Sequence, residues 1–245
     1  MNDKSIAAYD AAERVGRYDA DMEIMHPNRS RMVDIALEFV PLSPGERFTA
    51  LDLGCGSGFF TRRFLERFPL AGVIALDGAA SMVRLAKSRL GDLAARVDFR
   101  TADFRELSAA VAEAGVPRLA FSSFALHHLD AREKAHVVRQ VAGVLQAGGW
   151  FVNADLIVTP ARETEERIQH IRVEGIVRRA AGRDRRFNDA ASTRAFLDTL
   201  EREDGDKPLT VEEDLCILRE NGFKDATVLW LEYREAVAVG RRDGA

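Results

Sequence analysis

Between residues 48 and 155, short apolar runs alternate with longer stretches whose apolar residues recur every three or four positions. The short runs predict strands at 48–53, 73–76, 97–100, 119–122 and 150–155. The longer stretches predict helices at 59–68, 81–90, 104–114 and 131–145, each with one face to bury. Pro69, Gly91, Gly115-Val116-Pro117 and Gly148-Gly149 punctuate their ends. Strands and helices that alternate in this way build a parallel sheet covered on both faces.

The tail changes this pattern. Thr210 can cap a helix over 211–220 that Asn221-Gly222 stops, and strands follow at 226–231 and 236–239. The link between those strands is too short for a crossover, so they pair antiparallel and close a mixed sheet. Ahead of the alternating core, Met22, Met25, Met32, Ile35, Ala36, Leu37 and Val40 form a helical apolar stripe broken at His26-Pro27-Asn28. Residues 162–181 and 190–203 predict two further helices joined by a solvated loop at 182–186. The expected organisation is an N-terminal helical cap (1–45), a ligand-binding core (46–158), a helical insertion (159–207) and a helix with antiparallel strands that completes the core (208–245).

Composition narrows the class. At 245 residues, 47% of them hydrophobic, the chain suits one large α/β domain with an appendage. Charged residues make up 30%, yet the net charge is only −4, so there is no general attraction for phosphate backbones and nucleic acid is not an expected partner. The two cysteines, Cys55 and Cys216, stand far apart, which argues against a disulfide framework and for a reducing cytoplasm. No apolar run approaches the roughly 18 residues that span a bilayer, so a soluble cytoplasmic protein is expected.

The candidate chemistry lies in Leu51-Asp52-Leu53-Gly54-Cys55-Gly56-Ser57-Gly58. Three glycines between a strand and a helix let the backbone turn sharply and approach a ligand closely, although a tight turn or helix cap would use glycines too. In open α/β sheets such a loop borders the crevice where the strand order reverses. About 20 residues on, Asp77 closes the second strand, where a carboxylate can accept two hydrogen bonds from a ribose diol. Nicotinamide enzymes share that carboxylate, but their fingerprint needs glycine where this chain has Phe59.

Five segments, in order, resemble the motifs of class I S-adenosylmethionine-dependent methyltransferases of the small-molecule type. They are the glycine loop, Ala75-Leu76-Asp77-Gly78-Ala79-Ala80-Ser81-Met82, Thr101-Ala102-Asp103-Phe104, Ser122-Ser123-Phe124-Ala125-Leu126-His127-His128-Leu129, and Leu145-Gln146-Ala147-Gly148-Gly149. The resemblance implies a Rossmann-like α/β fold: a seven-stranded, mostly parallel sheet with a reversed final strand, plus N-terminal helices and a helical insertion. It implies S-adenosyl-L-methionine as cofactor, with Gly54, Cys55 and Gly56 at the methionyl part, Asp77 at the ribose, Met82 on the adenine face, and Asp52 and Gly78 among the cofactor-binding residues. Asp103 would accept from the adenine amine, the Phe104 amide would donate to a ring nitrogen, and Ser123 would lie beside the sulfonium. For Met82 an ordinary core position, and for Asp103 a helix N-cap, are alternatives.

A sulfonium methyl is already activated, so positioning the acceptor supplies most of the acceleration. Where the acceptor must lose a proton, His127 and His128 are the candidate bases, with hydrogen bonds to loop carbonyls as their alternative role. No metal site is expected from the pair, because no acidic residue or cysteine lies at ligand spacing beside it. Arg29 can pair with the methionyl carboxylate, while Tyr18 and Arg194 are candidates to meet the substrate. The balanced charge points to a small-molecule acceptor, and a homodimer is compatible with the composition. The tail, with Leu218-Arg219-Glu220-Asn221-Gly222-Phe223 and Leu229-Trp230, also resembles carboxy-S-adenosylmethionine synthases of transfer-RNA modification, in which Arg194 would take the extra carboxylate. Arg29 and Gly56 depart from that family's tyrosine and serine and favour the plain methyltransferase. A non-catalytic regulatory protein that binds the same cofactor is the third reading.

Overall fold

Successive residues along the central strands point into two different cores, which is why these strands read as unbroken apolar runs. In β1 (Thr49–Leu53) Ala50 enters one core and Leu51 and Leu53 the other; in β2 (Gly72–Asp77) Val73 and Ala75 oppose Ile74 and Leu76. The computed structural model describes residues 3–244. Its sheet is completed by β3 (Val97–Thr101), β4 (Leu119–Ser123), β5 (Trp150–Leu156), β6 (Phe223–Glu232) and β7 (Glu235–Arg242), in the spatial order β3-β2-β1-β4-β5-β7-β6. The neighbours among β1 to β5 pair parallel, while β7 runs antiparallel to both β5 and β6. The strand order therefore reverses between β1 and β4, and a crevice opens at their carboxyl ends.

Helices α3 (Arg29–Phe39), α4 (Phe59–Arg67) and α5 (Ala80–Leu90) cover one face, where Phe48, Phe60, Phe64, Phe68 and Phe121 form an aromatic core. Helices α6 (Leu107–Ala110), α7 (Ala131–Val144) and α10 (Val211–Glu220) cover the other. Above the crevice lie α1 (Asp3–Asp10), α2 (Ala12–Met25), α8 (Arg162–Ala180) and α9 (Ala190–Asp204). A third, smaller core joins them: Met25 of α2 packs with Val173, Ile176, Ala180, Phe187 and Leu197. The inserted helices thus build a roof with α2. Among the described residues no helix is long and apolar enough to cross a membrane.

Two expected elements take another form. The helix expected at 104–114 is a 3-10 turn (Phe104–Glu106) followed by the single turn of α6, because Ala112 and Glu113 beyond it find nothing to bury against. The loop expected to be solvated at 182–186 leads into a 3-10 turn (Arg185–Phe187) whose Phe187 is fully buried. Arg186 there donates to Asp21 of α2 at 2.9 and 2.6 Å and fastens the insertion to the N-terminal helices.

Beneath the site, α7 and α10 are locked by a buried ion pair: Lys134 Nζ donates to Asp214 Oδ1 at 2.8 Å, with the lysine 2% exposed. Both helices begin with capping boxes, Asp130 with Glu133 and Thr210 with Glu213, which fix the angle at which they enter the pair. Removing one partner strands a buried charge. Lys134→Ala should therefore lower unfolding stability by about 3–5 kcal/mol in urea titrations, whereas Lys134→Met combined with Asp214→Leu should recover most of that loss. A single variant as stable as the wild type would show that the pair is solvated.

Candidate active site

The loop after β1 is tied to the end of β2. The amides of Gly54 and Cys55 donate to the Leu76 carbonyl at 2.8 and 3.0 Å, and the Gly56 amide donates to Asp77 Oδ2 at 2.9 Å. The other oxygen of Asp77 accepts from the Ala79 amide at 2.9 Å. Gly54 and Gly56 have φ of +73° and +52°, and a Cβ on Gly54 would come within 2.5 Å of the Ala125 side chain. Burial pushes the Asp77 carboxyl up to about 6, opposed by the two amide donors.

The crevice over this loop is lined by Tyr9, Tyr18, Gly54, Gly56, Asp77, Met82, Phe124, Ala125 and His128. Five residues expected at the site, Tyr18, Gly54, Gly56, Asp77 and Met82, and the candidate base His128 therefore share one wall. Gly78 follows Asp77 in the turn to α5, and Cys55 is a buried thiol packed in the aromatic-side core. Ser123 ends β4 with its Oγ buried and without a hydrogen-bond partner among the described residues. Phe124, next in the chain, has φ of +50°, a conformation costly for a non-glycine residue, and packs at a tilt against His26 with ring centroids 4.6 Å apart.

Asp52, Asp103 and Arg194 are engaged elsewhere. Asp52 is buried on the face of β1 that meets α4, where Thr61 donates to it, and burial pushes it up to about 7. It braces the strand against the helix. Asp103 accepts from the Arg105 amide at 2.8 Å and from its guanidinium at 2.9 and 2.6 Å; these bonds hold its carboxyl below the ordinary value although burial acts the other way. Its first role is thus the N-cap of the 3-10 turn, and Phe104 behind it is fully buried. Arg194 donates to Gln169 at 2.9 Å and pairs with Asp198 at 2.6 Å and Glu201 at 3.4 Å, so it sits behind Glu201 rather than in the cavity wall.

Arg29 does reach the loop. Its guanidinium lies 4.1 Å from the Phe59 ring centroid and 3.5 Å from Ser57 Oγ, and pairs with Asp19 at 3.1 Å. Asp19 itself accepts from Ser57 Oγ at 2.7 Å and pairs with Arg89 at 2.6 Å, pinning α2 to the glycine loop. Sequence reasoning passed over Asp19, because an exposed-looking aspartate in a charged helix carries no local signal.

Beside the crevice a cavity of about 320 Å³ lies under the roof, lined among others by Met22, His26, His127, Phe196, Leu200 and Asp206. Tyr9, Tyr18 and Phe124 belong to both walls. The cavity's Arg14, Arg172 and Arg186 are neutralised by Asp204, Glu201 and Asp21. His127 and His128 form a buried 3-10 turn after β4. His127 Nδ1 donates to Asp155 at 2.6 Å, its Nε2 lies 3.6 Å from Asp206, and His128 Nδ1 lies 2.9 Å from the same Asp206 oxygen. Burial lowers the pKa of both rings; Asp155 and Asp206 override it for His127, which is raised, while His128, beside His127, remains lowered. The acidic partners absent from the local sequence thus come from β5 and from the end of α9.

Residues 50–149 match the family model described as a methyltransferase domain. Malonyl-[acyl-carrier protein] O-methyltransferase of Acetivibrio thermocellus is 30% identical over 106 residues, 43% of this chain and 35% of that protein. The 27-O-demethylrifamycin SV methyltransferase of Amycolatopsis mediterranei is 29% identical over 148 residues, 60% of this chain and 52% of that protein. The chain thus spans about a third to a half of the length of these curated relatives. Among solved structures the DhpI–SAH complex has the same fold, with a TM-score of 0.61 and 19% identity over 99% of this chain and 97% of that one. Mixed sheet, glycine loop, Asp77 and the matched segment agree: this chain carries a class I S-adenosylmethionine-dependent methyltransferase domain.

Proposed function

We propose that the protein transfers a methyl group from S-adenosylmethionine to a small-molecule acceptor in the cytoplasm. The observation that carries this is the shared lining: Tyr9, Tyr18 and Phe124 border both the crevice over the glycine loop and the cavity under the roof, so the two spaces adjoin. A donor in the first space and an acceptor in the second meet beside those side chains, held in line and shielded from water.

The crevice carries the features of an adenosyl-sulfonium site, but it holds only about 20 Å³ of free space with Tyr9 and Tyr18 over the loop, so these side chains move aside to admit the ligand. The left-handed glycines leave backbone groups open to close approach, Asp77 offers a carboxylate, and Ser123 Oγ lacks a partner among the described residues. Gly54, Cys55 and Gly56 hold the methionyl part with Arg29 at its carboxylate; Asp77 and Gly78 hold the ribose; Met82 packs on adenine. The Phe104 amide meets the ring, and Asp103 is shared between Arg105 and the adenine amine. Bound there, S-adenosylmethionine supplies a methyl already activated on sulfur. Tyr18 and the apolar lining orient the acceptor, and the His127–Asp155 pair handles a proton at its Nε2 edge. Since the lining sets four arginines, Arg14, Arg17, Arg172 and Arg186, against six carboxylates, it suits an acceptor with an apolar body and polar groups rather than a polyanion. The engagement of Arg194 weighs against a carboxylated cofactor.

Incubation with methyl-labelled S-adenosylmethionine and a metabolite extract should move label to a small molecule; label that never leaves the cofactor would sink the enzymatic reading. Asp77→Ala should weaken S-adenosylhomocysteine binding by about 10²–10⁴-fold in calorimetry, as two charge-assisted hydrogen bonds of about 1.5–3 kcal/mol each are lost. Unchanged affinity would put the ribose elsewhere. The same carboxylate sets a pH dependence. Ribose hydroxyls donate to the ionised form, so affinity should be flat above about pH 6 and fall towards about tenfold per unit below it. An affinity constant from pH 5 to 8 would contradict this.

A further inference from the structure

We infer that His127, His128 and Asp206 form a binding site for one divalent transition-metal ion at the junction of the acceptor cavity and the cofactor crevice. The donor atoms of the three residues lie within 4.8 Å of one another, with Asp206 Oδ1 2.9 Å from His128 Nδ1 and 3.6 Å from His127 Nε2. Ligands that sit about 2.0–2.2 Å from a common ion are separated by roughly this much.

Three further observations point to a cation rather than to a self-contained hydrogen-bond network. His128 Nδ1 and Asp206 Oδ1 are both buried and lie 2.9 Å apart, yet the ring is turned so that no well-aligned hydrogen bond joins them to each other or to another described group. Two such atoms this close need a proton or a cation between them, and the alignment is poor for the proton. His127 donates from Nδ1 to Asp155, which fixes the tautomer whose free lone pair is on Nε2, the arrangement that supports a metal-ligating imidazole. Asp155 and Asp206 are both buried or nearly so, and their ion pairs among the described residues are with the two histidines alone. One divalent cation balances these two carboxylates.

The site is also held rigidly. The Lys207 amide donates to the His127 carbonyl at 2.7 Å, clamping the segment after Asp206 to the histidine turn. Two imidazoles and one carboxylate suit Mn, Fe, Co, Ni or Zn better than Mg²⁺ or Ca²⁺, which prefer oxygen-only sets. His127 and Asp206 line the acceptor cavity and His128 the crevice, so the open coordination positions face the place where acceptor and donor meet. An ion there takes up the His127 Nε2 lone pair that the metal-free site would use for the proton, and acts instead as a Lewis acid that lowers the pKa of an acceptor hydroxyl, whose proton leaves to solvent as the acceptor binds and before the site closes. That consequence rests on the methyl-transfer reading; binding of the ion does not.

The test is titration of chelator-stripped protein with Co²⁺, followed by visible absorption and by metal analysis after gel filtration. One Co²⁺ per chain is expected, with the absorption abolished in His128→Ala and in Asp206→Ala. Asp155→Asn should raise Kd by about 10–100-fold, as loss of an outer-shell carboxylate does. His170→Ala, which alters an exposed histidine on α8, should leave the stoichiometry unchanged. Circular dichroism melting checks that each variant folds, and the isosteric Asp206→Asn replaces the alanine variant if that unfolds. Wild-type protein that binds no stoichiometric Co²⁺, or binding that survives in folded His128 and Asp206 variants, overturns the inference. Stoichiometric Co²⁺ without methyl transfer would count against the activity and leave the metal site standing.

Discussion

The hydrogen bond from the Gly56 amide to the Asp77 carboxylate joins the ends of two neighbouring strands, and the geometry of the crevice depends on it. A carboxylate this buried resists ionisation, and its pKa of about 6 shows that two amide donors only partly offset the desolvation. The Gly56 amide reaches it because the backbone turns left-handed at Gly54 and Gly56, a conformation that side chains oppose, while the Ala79 amide comes from the turn after β2 itself. With the Leu76 carbonyl holding Gly54 and Cys55 at the same time, the loop has little freedom to drift. The floor of the site is therefore set before any ligand arrives, which is what positioning catalysis requires.

The roof is tied to that floor by charges. Asp19 of α2 gathers Ser57, Arg29 and Arg89, while Arg14 and Tyr9 meet Asp204 at the end of α9. Single pairs of this kind contribute little when exposed, but a partly buried network sharing one carboxylate fixes orientation as well as energy. Tyr18 follows from this placement: its hydroxyl would lie 3.5 Å from a Cβ on Gly56, so the α2 helix closes directly over the loop. Cofactor and acceptor spaces are bordered by shared side chains from both layers, and a shift of α2 would alter both together.

Legibility in the sequence followed burial. The inner strands β1, β2, β4, β5 and β7 were readable because two-sided burial writes apolar runs; the edge strand β3, with no fully buried residue, was found from the turns around it, and the edge strand β6 was drawn too short at 226–231. Its exposed Lys224 and Asp225 break the pattern, and the register shifts between Lys224 and Thr227 show the irregularity behind it. Arg186 was read as solvated since nothing near it in sequence betrays Asp21, 165 residues away. In the crevice, Gly54, Gly56, Asp77 and Met82 were legible because each belongs to a contiguous strand–turn–helix unit. Asp52, Asp103 and Arg194 needed three dimensions: strand alternation turns the first to Thr61, a capped turn occupies the second, and helix periodicity places the third behind Glu201.

The histidine pair shows the same limit most sharply. Its partners are assembled by topology: Asp155 lies one residue before the end of β5, whose alternating residues face α7 and α10, and Asp206 follows the left-handed stop at Gly205, whose φ is +68°. Nothing at local spacing announces either carboxylate. Stability does not account for the cluster, since a buried polar atom left without a partner costs about 1–3 kcal/mol, and well-packed apolar residues avoid that cost. Nearby Lys134 eases the burial of Asp155, yet Asp214 already claims its ammonium. Buried imidazoles and carboxylates with unmatched lone pairs, gathered where the acceptor and cofactor spaces meet, are better explained by chemistry carried out there than by the packing of the fold.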